Sequence, residues 1–123
     1  MNIDRSISVA GKTIAVTGGS SGLGLRMIQV LAANGANVVS ISRTPTYESM
    51  VHSNVVNIIA DITIAADIER AFDETERLFG PVSVVFNNAG VAAIERALTT
   101  TREQLRHIFE VNVVSGARLS RHY

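Results

Sequence analysis

The chain has 123 residues, 46% of them hydrophobic and 18% charged, which is the composition of one globular domain rather than a disordered segment. Eleven basic and eleven acidic residues leave no net charge, so no electrostatic footprint for nucleic acid or an anionic membrane is visible. Cysteine is absent, which excludes disulfides, thiolate metal sites and a cysteine nucleophile, and agrees with a reducing compartment.

Met1-Asn2-Ile3-Asp4-Arg5-Ser6 is polar and has no apolar signal-peptide core. No apolar run approaches the roughly 20 residues that span a bilayer. A cytoplasmic protein, not bound to membranes, is the expectation. Short apolar runs then alternate with helical patterns, as in βαβ units with a parallel sheet. The first strand is expected over 13–17 and a helix over 22–34, with Leu23, Met27, Ile28 and Leu31 at helical spacing and Asn34-Gly35 as its stop. A second strand follows over 37–42, a polar loop broken by Pro45 over 43–53, and a third strand over 55–60. Asp61-Ile62-Thr63 leads into a helix over 65–79, whose apolar face is Ile64, Ile68, Ala71, Phe72 and Phe79 and whose end is Gly80-Pro81. The nearly all-apolar run 82–86 reads as a fourth strand covered on both faces. A long helix begins near Thr101, capped by Thr100 with Glu103 or Thr101 with Gln104, with Leu105, Ile108, Phe109, Asn112 and Val113 on one face. There is no internal repeat, linker or low-complexity tract.

Thr17-Gly18-Gly19-Ser20-Ser21-Gly22-Leu23-Gly24 carries the most chemistry. Strand, glycine-rich turn and helix in that order make a phosphate cradle, because glycine lets the backbone approach a pyrophosphate and the helix N-terminus offers free N–H groups and a positive dipole end. The alternative is a structural turn that binds nothing. At the end of the second strand, where NAD-binding folds often place an acid, stand Ser42 and Arg43. Serine removes the charge that would repel a 2′-phosphate, and arginine can pair with that phosphate, which favours NADP(H) over NAD(H). Arg43 could equally be an ordinary solvated loop residue. Asn87-Asn88-Ala89-Gly90 follows the fourth strand, at the expected ligand crevice, although by composition alone it is a plain Asx turn. Asn112 lies between Val111 and Val113, and a buried asparagine there needs partners, a water or a backbone carbonyl among them. His52, His107 and His122 have no metal-ligand spacing and read as surface residues; no metal site is expected. Arg102, Arg106, Arg118 and Arg121 read as the solvated side of the last helix.

Together these motifs resemble the short-chain dehydrogenase/reductase family in its classical branch, from about Lys12 to the end of the chain. Thr17-Gly18-x-x-x-Gly22-x-Gly24 matches its cofactor motif and Asn87-Asn88-Ala89-Gly90 its sheet-stabilising motif. Asn112 matches the helix asparagine of its catalytic tetrad, and Asp61 the acid that contacts the adenine ring. The resemblance implies an α/β fold: a Rossmann-like, doubly wound parallel sheet, truncated to about four strands in the order 3-2-1-4 with flanking helices. It implies a nicotinamide dinucleotide as ligand, held by Thr17, Gly18, Ser20, Ser21, Gly22, Leu23, Gly24, Ser42, Arg43, Asp61, Ile62, Asn88, Ala89 and Gly90. The implied activity is NAD(P)-dependent carbonyl reduction or secondary alcohol oxidation.

In the family a tyrosine, with a lysine four residues later, acts as acid/base beside a serine. A phenol with pKa about 10 must be lowered to work near neutrality, and an adjacent cation does that. Lys12 is the only lysine here and the tyrosines are Tyr47 and Tyr123, so Asn112 is the only tetrad member present. The expectation is one incomplete dinucleotide-binding domain over 1–123, cut off within a helix and inactive alone. A fourth strand left as an apolar edge and an exposed last helix imply a homo-oligomer or a partner chain covering both. The other reading is a non-catalytic nucleotide-binding or subunit-interaction module.

Overall fold

The computed structural model describes residues 8–45, 52–92 and 96–122. Four apolar runs form its sheet: β1 (Thr13–Thr17), β2 (Asn37–Ser42), β3 (Val55–Ile59) and β4 (Val82–Phe86). All pairings are parallel and the order is β3-β2-β1-β4, the order the family resemblance implies. The reversal between β2 and β4 on either side of β1 creates a crevice at the strands' carboxyl ends.

The strand period of two assigns alternate residues to two cores. Ile14, Val16 and Val38 pack with Ile28 and Ala32 of α1 (Gly22–Ala33) on one face. Ala15, Val39 and Ile41 pack with Ile68, Ala71 and Phe72 of α2 (Ala65–Phe79) on the other, joined by Val111 and Leu119 from the last helix. The sheet is thus wound on both sides. Truncating the fully buried Ile28 to alanine removes contacts on the order of 2–5 kcal/mol.

The last helix runs as α3 (Arg102–Phe109), a π-helical turn (Glu110–Val114) and α4 (Ser115–His122). Of the two caps expected, Thr101 with Gln104 forms: the Gln104 N–H donates to Thr101 Oγ1 at 3.2 Å, and the Thr101 N–H to Gln104 Oε1 at 2.7 Å. No helix among the described residues is long and apolar enough to cross a membrane.

Several expectations are corrected. The expected face of Leu105, Phe109 and Val113 is exposed, at 57%, 59% and 50%, while Val111, Ser115 and Leu119 are buried instead. The π turn interrupts the helix between Phe109 and Ser115, and the buried residues lie within and after it. β4 is covered on both faces only in part: Val82 and Val85 pack against one core and Val84 against the other, yet its residues stay half-buried or exposed, because among the described residues it is an edge strand paired only with β1. Leu23 (68% exposed) and Ile64 (49%) stand at helix N-termini outside the core. Arg118 is not simply solvated, since its Nη1 donates to the Thr63 carbonyl at 2.9 Å and lies 3.7 Å from Glu110 Oε2. Residues 46–51 of the predicted loop, with Tyr47, and Tyr123 lie outside the described residues.

Candidate functional site

A groove of about 410 Å³ opens where the carboxyl ends of all four strands meet. Gly18, Ser20, Ser21, Gly22, Leu23 and Gly24 line it from the turn after β1. Ser42 and Arg43 line it from the end of β2, Asp61 and Ile62 from the segment after β3, and Asn88, Ala89 and Gly90 from the turn after β4. Of the fourteen positions expected to hold the ligand, only Thr17 is absent from the lining. It is fully buried beneath the turn, where it acts as a brace.

That brace is built from one hydroxyl. Thr17 Oγ1 accepts from the backbone N–H groups of Asn88 and Ala89, both at 3.1 Å. Asn88 Nδ2 donates to the carbonyls of Thr17 (3.1 Å) and Gly18 (3.3 Å). The asparagine side chain therefore binds the turn after β4 to the turn after β1, as its amide chemistry allows. The two turns approach so closely that only glycine fits at two positions. Gly18 has φ +70°, and a Cβ on it would lie 2.8 Å from the Ala89 Cα. A Cβ on Gly24 would lie 2.3 Å from the Gly18 carbonyl oxygen.

Ser21 caps α1 without a side-chain hydrogen bond, and the first turn of α1 carries no acid. Its leading N–H groups are thus left for an anion in the groove. At the charged end of the groove stand Arg43, Asp61 and His107. Asp61 Oδ1 accepts from the hydroxyl of Thr63 at 2.7 Å and from its N–H at 2.9 Å. Those two bonds, the hydroxyl's first, hold the Asp61 carboxyl below its ordinary value of 3.8, with Arg43 and His107 adding smaller electrostatic contributions and partial burial opposing them. Asp67 Oδ2 in turn accepts from the Asp61 N–H at 2.8 Å, which fixes this segment from α2. Ser42 donates its hydroxyl to the Thr44 carbonyl at 2.6 Å, shaping the loop that presents the exposed Arg43.

Asn112 is exposed rather than buried, which corrects the expectation. Its partner is a backbone: the Val91 N–H donates to Asn112 Oδ1 and Asn112 Nδ2 donates to the Val91 carbonyl, both at 2.8 Å. Asn112 stands beside the groove rather than in its lining, fastening the segment after Gly90. Ile41, Thr44, Ala60, Val91, His107 and Val111 also line the groove and were missed by sequence reasoning. Ile41 and Thr44 were within reach, as neighbours of the Ser42-Arg43 pair. His107 was not, because a lone histidine on a helix carries no spacing signal. Among the described residues, no cluster of acids and histidines forms a metal site.

Known proteins of this architecture carry the same chain pattern. The structure superposes on 3-ketoacyl-(acyl-carrier-protein) reductase from Brucella melitensis, solved in complex with NADH, with a TM-score of 0.88 and 30% identity over 94% of this chain and 50% of that one. The NADP-dependent (R)-specific alcohol dehydrogenase of Lentilactobacillus kefiri is 36% identical, over 89% of this chain and 47% of that protein. Human L-xylulose reductase is 34% identical, over 91% of this chain and 46% of that protein. The chain spans about half the length of these relatives. The family model for short chain dehydrogenase matches residues 12–123, and the chain belongs to that family.

Proposed function

We propose that the groove binds a nicotinamide adenine dinucleotide, NADP(H) in preference to NAD(H). On this reading the chain is the coenzyme-binding part of an NAD(P)-dependent oxidoreductase that reduces carbonyls or oxidises secondary alcohols. The observation that carries the reading is the meeting of the uncapped α1 N-terminus with two backbone turns that have no room for a Cβ at Gly18 or Gly24. A pyrophosphate needs such a surface: close backbone, free N–H groups and no side chain in the way. The NADH complex of the Brucella melitensis reductase and the NADP dependence of the Lentilactobacillus kefiri enzyme support the ligand class.

The coenzyme, when bound, supplies the hydride chemistry. The groove residues hold it: the 18–24 turn at the pyrophosphate, Asp61 and Ile62 at the adenine, and Asn88, Ala89 and Gly90 toward the nicotinamide half. Arg43, exposed at the end of β2, pairs with a 2′-phosphate. Asn112 takes the catalytic asparagine's place. No tyrosine stands four residues before Lys12, the only lysine, so residues 1–123 supply no tyrosine–lysine acid/base pair and no turnover is expected from them alone. A second copy or another chain covers the β4 edge and the exposed Leu105, Phe109 and Val113. The absence of cysteine fits a cytoplasmic setting.

Titration with NADPH, followed by nicotinamide fluorescence, tests the reading. Saturable binding displaced by adenosine 2′,5′-bisphosphate is the expected result. Absence of saturation with NADPH and NADH alike overturns it.

A further inference from the structure

One fully buried hydroxyl, that of Ser115, sits where the last helix changes its winding. π-helical turns occur as isolated interruptions of α-helices, and they concentrate at functional sites. In this one the Ser115 backbone N–H donates to the Glu110 carbonyl, five residues back. In an α-helix that N–H would go to Val111, four residues back. A carbonyl passed over inside a core needs another donor. The Ser115 hydroxyl is one, donating to the Val111 carbonyl, and Val111 is itself buried.

The C-terminal side of the turn is held in register by a second contact. Gly116 lies so close to Asn87 that a Cβ on residue 116 would stand 2.3 Å from Asn87 Nδ2. Glycine is therefore the residue that fits opposite Asn87. Within the turn the Asn112 side chain spans the N–H and carbonyl of Val91, with Gly90 close enough that a Cβ would touch Asn112 Oδ1 at 3.4 Å.

We propose that Ser115 is a positioning residue for Asn112: its hydroxyl replaces the backbone donor at Val111, keeps the turn in π winding, and so holds the Asn112 amide against Val91. Without that hydroxyl the Val111 carbonyl loses that donor, and the turn relaxes to α winding, where the residue-115 N–H returns to Val111. Asn112 then shifts relative to Val91 and releases it. The hydrogen-bond geometry carries this claim. Its meaning for catalysis rests on the proposed reading of the groove as a dinucleotide site.

The test is hydrogen exchange of the Val91 amide and of the Asn112 side-chain amide by NMR, in the full chain and in Ser115→Ala, Ser115→Cys and Ser115→Thr. Loss of the hydroxyl in Ser115→Ala is expected to speed both exchanges about tenfold, with the Gly18–Gly24 signals in place. Ser115→Cys keeps the volume with a weaker donor and carries the test should the alanine variant fail to fold; the same direction of change is expected. Ser115→Thr retains the hydroxyl and is expected to retain protection. Unchanged exchange in the alanine or cysteine variant, or equal loss in the threonine variant, overturns the proposal. NADPH titration of the unsubstituted chain reads the other claim separately. Loss of protection in the variants with no NADPH binding leaves the positioning standing and fails the reading of the groove.

Discussion

Thr17 and Asn88 grip each other from both ends: the Asn88 backbone N–H donates to the Thr17 hydroxyl, and the Asn88 side-chain amide donates to the Thr17 carbonyl, each at 3.1 Å. Seventy-one residues separate them in sequence. This pair sets the spacing between the turn that would cradle a pyrophosphate and the turn that would face the nicotinamide. Thr17→Val keeps the shape but strips the acceptor from two N–H groups, those of Asn88 and Ala89. The expected destabilisation is about 1–3 kcal/mol, read from the midpoint of urea unfolding. An unchanged midpoint would show that water or a shifted partner satisfies those donors.

Gly24 gives a steric prediction. Its added Cβ would meet a backbone oxygen, that of Gly18, at 2.3 Å and the Asn88 amide nitrogen at 2.5 Å. Neither is the tip of a long, yielding side chain, so the turn itself must open. Gly24→Ala is expected to lower stability by about 1–3 kcal/mol and to weaken NADPH binding at least about tenfold. Calorimetric titration alongside a thermal melt separates the two effects, and full affinity in the variant would mean the turn is not the phosphate site.

Arg43 decides the phosphate at the ribose. Replacement by aspartate removes a charge-assisted partner and adds repulsion. Arg43→Asp is expected to weaken NADPH on the order of 10- to 100-fold while NADH binding holds or tightens. The ratio of the two dissociation constants is the readout. An unchanged ratio would make Arg43 a solvated loop residue.

Asp61 makes stability depend on acid. Its carboxyl is lowered in the fold chiefly by the Thr63 hydroxyl, so the folded state binds a proton less readily than the unfolded chain. The resulting stabilisation is fully present above the ordinary aspartate value and is lost as pH falls through the lowered folded value. Between about pH 5 and pH 3 the wild type should lose more stability than Asp61→Asn, measured by urea unfolding across the series. Parallel pH profiles for the two proteins would contradict the assignment.

Much of this fold is legible in the sequence because local signals agree there with tertiary ones. The strand cores alternate, Gly80 ends α2, and the capping box of Thr101 and Gln104 starts α3. The order of the sheet is what the family resemblance carried by the glycine, asparagine and aspartate motifs implies, and the structure has that order. What was misread depends on neighbours. Apolar composition at 82–86 states what β4 can bury, not what lies beside it. A period of 3.6 residues per turn puts Asn112 on the apolar face, and the π turn over residues 110–114 leaves no mark in hydrophobic periodicity. Asn112 is exposed and bound to Val91 instead of buried. Arg118 reached Thr63 across 55 positions, a distance no local pattern spans.

The central claim is that the groove at the carboxyl ends of the strands holds a nicotinamide dinucleotide. The most direct measurement is NMR chemical-shift mapping of the chain during titration with NADPH. Saturable shifts concentrated on Gly18–Gly24, Arg43, Asp61 and Asn88–Gly90, with the outer face of α2 around Glu69 and Asp73 unmoved, are the predicted result. Shifts that centre elsewhere, or no shifts at millimolar NADPH, would contradict it.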